Sequence, residues 1–465
     1  MDLLSWLMYL VSYVILFQAL HAITRKLGRR AKLPPGPPTI PIFGNLFQLG
    51  DNPHKSLAKL ASVHGDIMTL KLGQITTVVF SSATMAKEIL QKHDAVSCNR
   101  TVPDAIRALR HHEVGLPWMP ASTTWRNHRK ICNLHIFASH RLDANQYLRR
   151  TKVEQLLADV RHSSRIGEAV EIRQAAFKTT LSFMSNTIFS IDLSDSSQTS
   201  EEFREIVQGI LEELRKPNFG DYFPIANLDL QGNRRRMTIH LRKIMDLFDN
   251  LIDERVELRR MSDYVLFIAA TETTTSTIEW AMAELLHNPQ ALLEARRELK
   301  QIIGKGNLVE ESNVTCLPYL QAIVKETLRL HPPAPFLIPR KAEADIEVHN
   351  FVVPKGAQVF INAWVIGRDP NFWEEPDLFR PERFIRSETD VKGNDFGLIP
   401  FGGGRRICPG LPLAMRMLHS MLGTLIHSFD WELEDGVAPE NLNMDEKFHF
   451  VLQKAQPLRS IPHSI

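Results

Sequence analysis

Apolar residues recur at three- and four-residue intervals along most of the chain. This spacing predicts helices over Ala83–Lys92, Thr124–Ile136, Asp143–Arg161, Gln174–Ile188, Glu201–Leu214, Arg234–Arg259, Tyr264–Leu286, Pro289–Ile303 and Tyr319–Leu330. A last helix is expected over Leu411–Ser428. In Met68–Ser81, "MTLKLGQITTVVFS", Thr, Val and Ile flank a Gly-Gln turn, which predicts a β-hairpin. A second strand pair is expected over Ile346–Asn362, split at "VPKGA", and a strand at Phe448–Leu452. The strands are few and do not alternate with helices, which excludes a doubly wound α/β sheet. The predicted class is mainly α with small β-sheets.

Two stretches depart from that pattern. Leu3–Ile23, "LLSWLMYLVSYVILFQALHAI", carries no charged residue. As a helix it would be ~31 Å long, enough to cross a bilayer core. Arg25, Lys26, Arg29, Arg30 and Lys32 follow, which keeps that side cytosolic. The segment lacks the basic start and small-residue cleavage site of a signal peptide, so residues 1–24 are expected to be an uncleaved transmembrane anchor. Residues 25–45 form a basic, proline-rich linker ending in "LPPGPPTIPIFGN", and 46–465 a single large body. The other departure is Arg234–Leu286, where helical character continues with no Pro or Gly, and only "RRMSDY" offers a stop and restart.

Composition changes this picture little. At 44% hydrophobic and 23% charged, the chain is neither disordered nor collagen-like. A net charge of +2 gives no global field for nucleic acid. The four cysteines, Cys98, Cys132, Cys316 and Cys408, are too few and scattered for a disulfide framework, and none has CxxC spacing. His111 and His112 are adjacent, so their side chains diverge, and they read as a solvated pair rather than a metal site.

Three constellations carry candidate chemistry. The first is Phe401–Gly410, "FGGGRRICPG". Its glycines let backbone pass close to a flat ligand. Backbone N–H groups at the start of the next helix would stabilise a Cys408 thiolate, and Arg406 is placed for a carboxylate on the same ligand. A lone cysteine would otherwise read as a buried, inert thiol. The second is "KETLRLHPP", where Glu326 and Arg329 share a helical face, with Arg383 of "FRPERF" available to complete a charge network. The third is "FIAATETTTSTIEW", in which Ala269, Thr273, Ser276 and Trp280 fall on one face. Mid-helix hydroxyls there would bond back to carbonyls and bend the axis.

"FGGGRRICPG" resembles the haem-ligand signature of the cytochrome P-450 superfamily, with Phe401, Gly404, Arg406, Cys408 and Gly410 in register. The resemblance implies the cytochrome P-450 fold, haem b ligated axially by the Cys408 thiolate, and monooxygenase activity using O2 and NADPH electrons through a reductase. By the same resemblance, Trp125 and Arg129 of "WRNHR" and Arg340 would hold haem propionates. Glu326, Arg329 and Arg383 would fix the cysteine loop. The Ala269 stretch would cross the distal haem face, where Thr273 would orient water and Glu272 relay protons. Ala270 departs from the family's usual Gly. "PHKSLAKL", "RLDANQYLR", "INAWVIGRD" and "MDEKFHFVLQKAQPLR" are similar to the plant microsomal, terpenoid-oxidising branch that includes the geraniol 8-hydroxylases. That branch implies a monoterpenoid alcohol such as geraniol, with an alkaloid, phenylpropanoid or diterpene as alternatives. Substrate contacts expected by position are Ala105, Leu116, Trp118, Phe267, Phe336, Leu337, Phe450 and Val451, all apolar. A haem-binding but inactive chain stays open too, because an acidic segment and a helix of the family have no counterpart near 260–263. The anchor implies the endoplasmic reticulum membrane with the catalytic domain cytosolic.

Overall fold

The structure is a computed structural model describing residues 12, 32–189, 192–194, 197–224, 229–253 and 264–465. The expected anchor apart from residue 12, the linker up to residue 31 and the junction at 260–263 lie outside the described residues. Among the described residues no helix is long and apolar enough to cross a membrane.

The longer helices are α1 (Pro53–His64), α2 (Thr123–Ile131), α3 (Gln146–Ile166), α4 (Ile172–Phe189), α5 (Ser197–Arg215), α6 (Asn233–Asp253), α7 (Tyr264–His287), α8 (Pro289–Ile303), α9 (Pro318–Leu330) and α10 (Leu411–Ser428). Prolines stand in the first turns of α1, α8, α9 and α10, where a missing N–H costs nothing. Gly167, at φ 69°, ends α3 in a left-handed cap. From Thr271 to Leu286, α7 is buried on every side except at Thr273. A helix enclosed nearly all round belongs at the centre of a large core even with Glu272, Glu279 and Glu284 among its buried residues, and α4, α9 and α10 pack directly on it.

The strands are β1 (Ile67–Leu72), β2 (Ile75–Phe80), β3 (Asn99–Arg100), β4 (Val170–Glu171), β5 (Arg340–Lys341), β6 (Ile346–Val348), β7 (Phe351–Val353), β8 (Gln358–Ile361), β9 (Phe429–Leu433), β10 (Glu446–Phe448), β11 (Leu452–Lys454) and β12 (Arg459–Ser464). They form a five-stranded sheet β1-β2-β8-β5-β3, a three-stranded sheet β4-β12-β9, and two hairpins. The predicted first hairpin is β1–β2, with Ile67 opposite Phe80. Two strand expectations need correction. Ile346–Asn362 is not one pair: β6 and β7 turn at His349 (φ 53°), and β8 leaves to pair in parallel with β2. Phe448–Leu452 is not a strand but the turn of β10–β11, so Phe450 and Val451 sit at its tip.

Candidate active site

The cysteine loop enters α10 along a path that glycine permits. Gly402 and Gly404 hold φ of 73° and 63°. A Cβ on Gly404 would lie 2.3 Å from the Leu90 carbonyl oxygen and 2.5 Å from Asp94 Oδ1. The Cys408 N–H donates to the Phe401 carbonyl at 3.0 Å, closing the loop. Burial pushes the Cys408 thiol up, while the N–H groups of Gly410 and Leu411 and the Arg129 charge pull it down. Burial wins, so the thiol is held above its ordinary value, with the N–H groups at the start of α10 and Arg129 only partly offsetting it.

Four guanidinium groups surround this loop. Arg406 donates to the carbonyls of Cys98 (2.9 Å) and Met119 (2.6 Å) and stacks 4.1 Å over the Trp125 ring. Burial lowers its pKa to about 10. Trp125 is itself fixed by its indole N–H on the Leu116 carbonyl, at 3.2 Å. Arg129 donates to the Ile407 carbonyl, tying α2 to the cysteine loop. Arg340 pairs with Asp94 at 2.7 Å and donates to the Gly403 carbonyl at 2.9 Å. Arg100 was missed by sequence reasoning. It lies on β3 beside β5, where Asn99–Arg100 pair with Arg340–Lys341. It donates to the Ile338 carbonyl, but its Nε is buried without a partner. Burial, then Arg340 and Arg406, push its pKa well down. Asp94 is the carboxylate paired with this group, through Arg340 and, at 3.4 Å, the more exposed Arg405. The arrangement carries excess buried positive charge, which suits a dianionic ligand.

On α7, Ala269 is exposed and Thr273 half-exposed within a helix otherwise enclosed from 271 onward. One turn apart, they mark where the core opens onto space. Thr273 Oγ1 donates to the Ala269 carbonyl at 2.7 Å. Thr271 and Thr277 bond back in the same way, to Phe267 and Thr273. The neighbouring Glu272 points elsewhere. Its buried carboxylate accepts from Arg173 (2.5 Å) on α4, Gln208 (2.8 Å) on α5 and Gln453 (3.3 Å) on β11. Arg173 also pairs with Glu279 at 3.4 Å.

The expected substrate contacts separate into two groups. Ala105, Leu116, Trp118 and Phe450 gather in the main cluster, where Trp118 and Phe450 lie 6.1 Å apart. Val451 adjoins Phe450 at the hairpin tip, and Leu337, at φ 53°, approaches Gly402. Phe267 shares the main cluster but faces another way, and Phe336 lies outside it. Phe267 is fully buried between Phe203 (6.0 Å) and Phe248 (5.0 Å), on the face of α7 away from Ala269, because residues two apart in a helix point in nearly opposite directions. Phe336 stacks on Phe360 in a separate small core under β1. His111 also corrects its reading as solvated. It is buried over Gly115, and burial lowers its pKa to about 4.

Glu326, Arg329 and Arg383 do meet. Arg329 donates two hydrogen bonds to Glu326, at 2.6 and 2.8 Å, and Arg383 adds one at 3.0 Å. Glu326 and Arg329 are completely enclosed. The guanidinium groups then reach the carbonyls of Gly367, Pro376 and Leu378 (Arg329) and Glu374 (Arg383), so the network holds the connector preceding the cysteine loop.

The cytochrome P-450 family model matches residues 34–264 and 260–459, in two segments that meet at the short junction. The chain is similar to geraniol 8-hydroxylase of Catharanthus roseus, 48% identical with all of both chains covered. That alignment runs over 496 positions, more than the chain's 465 residues. The geraniol 8-hydroxylase of Swertia mussotii is 49% identical, covering 96% of each chain. Drimenol monooxygenase of Persicaria hydropiper is 48% identical over 94% of this chain and 93% of that protein.

Proposed function

The chain belongs to the cytochrome P-450 family, and on that premise we propose that it hydroxylates a monoterpenoid alcohol of the geraniol type. As a family member it is a monooxygenase that takes haem with a cysteine thiolate ligand and electrons from NADPH through a reductase. The observation that carries the assignment of the site is the unpartnered buried Nε of Arg100, within a group of guanidiniums facing one carboxylate. Haem propionates would complete that charge balance. The residues therefore fit the group: Cys408 as iron ligand, with Arg100, Trp125, Arg129, Arg340 and Arg406 toward the propionates. Phe401, Gly410 and Ala269 would flank the ring.

Bound haem supplies the oxygen activation that inserts one oxygen atom into a C–H bond. The protein's part is to orient, exclude water and move protons. Thr273 Oγ1 stands at the opening of α7 and can hold a water there. Glu272 is held by Arg173 and Gln453 on Oε2 and by Gln208 on Oε1, so a proton relay through it would run through the remaining acceptor site of Oε1 or follow release of one of these partners. Trp118, Leu116 and Phe450 cluster together and Val451 is buried beside Phe450, and they would give the substrate an apolar wall, which suits a hydrocarbon with a single hydroxyl.

The names of the two geraniol 8-hydroxylases support the substrate reading. Residues 1–24 are proposed as a single anchor in the endoplasmic reticulum membrane. Arg126, Lys130 and Arg405 are exposed around the cysteine loop and would face an acidic reductase. Reversing their charges should slow reduction and flatten its salt dependence; unchanged kinetics would count against that docking face. The short junction is proposed as an internal deletion, supported by the break in the family match there. The test of function is turnover of geraniol by the reconstituted protein with reductase, NADPH and O2. A hydroxylated geraniol is expected; correct haem loading with no oxidised product from any terpenoid would overturn the reading.

A further inference from the structure

The hairpin β10–β11 carries Phe450 and Val451 at its tip, yet only a turn's length of chain separates that tip from a buried carboxylate at its base. Glu446 faces Lys454 across the hairpin, and its side chain is 3% exposed. Five polar side chains from separate parts of the chain converge on it. His54 Nε2 (3.1 Å) and Lys55 Nζ (2.9 Å) approach Oε2 from α1. Trp364 Nε1 donates to Oε1 at 3.1 Å. His331, just past α9, lies 3.4 Å from Oε1, and Arg368 lies 4.0 Å away. Burial raises the Glu446 pKa, but the adjacent His331 and His54 rings outweigh that and hold it well below the usual carboxylate range.

His331 extends the cluster inward. Its Nε2 is 2.6 Å from Glu284 of α7, and its ring stacks on Trp280 of α7 at 3.8 Å and 2°. The tip end of the hairpin is tied down as well, at Leu452 beside Val451. Ser276 Oγ donates to the Leu452 carbonyl at 2.5 Å, and the Leu452 N–H donates to Pro333 at 2.8 Å. Phe448 packs on His54 and Phe336, with ring centroids 5.7 and 5.8 Å apart. The base of the hairpin is gripped through Glu446 and its tip end through Leu452 and Phe448, while Phe450 between them makes its ring contact, among the described residues, with Trp118.

We propose that Glu446 is a positioning residue for substrate orientation. Its carboxylate, gripped from α1, the end of α9 and the segment around Trp364, sets the depth at which Phe450 and Val451 press on the substrate space. This rests on the hydroxylase reading above. Residues 449–451 hang between Leu452, fixed to Ser276 and Pro333, and the β10 strand, fixed at Glu446, so a shift at residue 446 swings residues 450 and 451 about Leu452. Glu284 shares the same buried cluster through His331 but lies on α7, not on the hairpin. A change there weakens the cluster and leaves the hairpin's own anchor in place.

The experiment compares Glu446→Gln, Trp364→Phe and Glu284→Gln in the holoprotein. Two quantities are read: amide hydrogen exchange over residues 446–454 without substrate, and the ratio of hydroxylated regioisomers from geraniol. In Glu446→Gln the exchange should quicken at least about tenfold. The regioisomer ratio should move at least about threefold, well inside the roughly hundredfold that an ångström of misplacement can cost. Trp364→Phe removes one donor without unpairing a charge, and should show smaller changes of the same sign. It carries the test if Glu446→Gln does not fold. Glu284→Gln should lower the melting temperature and leave both readouts at the parent values. Unchanged exchange and ratio in Glu446→Gln and Trp364→Phe, or equal effects in Glu284→Gln, would overturn the proposal. If the parent protein does not oxidise geraniol, the substrate reading fails, and the exchange measurement alone decides whether Glu446 sets the hairpin.

Discussion

Replacing Gly404 by alanine tests the rigidity of the cysteine loop directly. Two costs act at that position. A left-handed backbone costs a non-glycine residue about 1–2 kcal/mol. The new methyl would also stand 2.3 Å from the Leu90 carbonyl oxygen and 2.5 Å from Asp94 Oδ1, so backbone or Asp94 must move. Overpacking of this kind costs roughly 1–3 kcal/mol more. Gly356 separates the two terms: its φ is 80°, but nothing lies within 4 Å of a Cβ there. Gly356→Ala should therefore lose about 1–2 kcal/mol, and Gly404→Ala roughly 2–5 kcal/mol. Because Asp94 also accepts from Arg340 and from the Arg405 N–H, the second variant should lose haem as well as stability. The assay is denaturant unfolding with haem content read in parallel. Equal losses in both variants, with haem retained, would refute the claim that this approach is close and unyielding.

Other outcomes follow from buried charge and from the opening on α7. Glu326→Gln leaves Arg329 and Arg383 facing a neutral amide, and should cost about 3–5 kcal/mol in denaturant titration with loss of haem uptake. Thr273→Ala should lower product formed per NADPH consumed about tenfold or more, with substrate affinity unchanged. Asp221 is raised to about 6 by burial, opposed by the Asp104 N–H and aided by the Asp104 charge. An acid raised above its unfolded value stabilises the fold fully below about pH 4 and loses that contribution as pH rises through about 6. The parent should therefore weaken between about pH 4 and about pH 6 and level off above that, whereas Asp221→Asn should show a flatter denaturation midpoint and be the more stable form at pH 8.

What could be read from sequence was what depends on neighbours in sequence. Leu411–Ser428 begins after a Pro-Gly pair and ends where its apolar pattern ends, and α10 occupies that span. Glu326 and Arg329 are three apart on one helix, so their pairing needed only a helical period. Arg100 gave no such signal. Its place depends on β3 pairing with β5, some two hundred and forty positions away in the chain, an interaction with no local pattern. The facing of Phe267 was misread for a related reason: α7 is buried nearly all round, so apolar periodicity cannot say which side opens. The cluster at Glu446 joins residues 54, 331, 364 and 446, each unremarkable alone.

The most direct test of the account is the absorption spectrum of the reduced, carbon-monoxide-bound protein, recorded for the parent chain and for Cys408→Ser. The account predicts a strongly red-shifted Soret band in the parent and its absence in the variant, with Cys408 the proposed thiolate ligand. A parent band at the position of histidine- or thiol-ligated haem, or a red-shifted band that survives in Cys408→Ser, would contradict it.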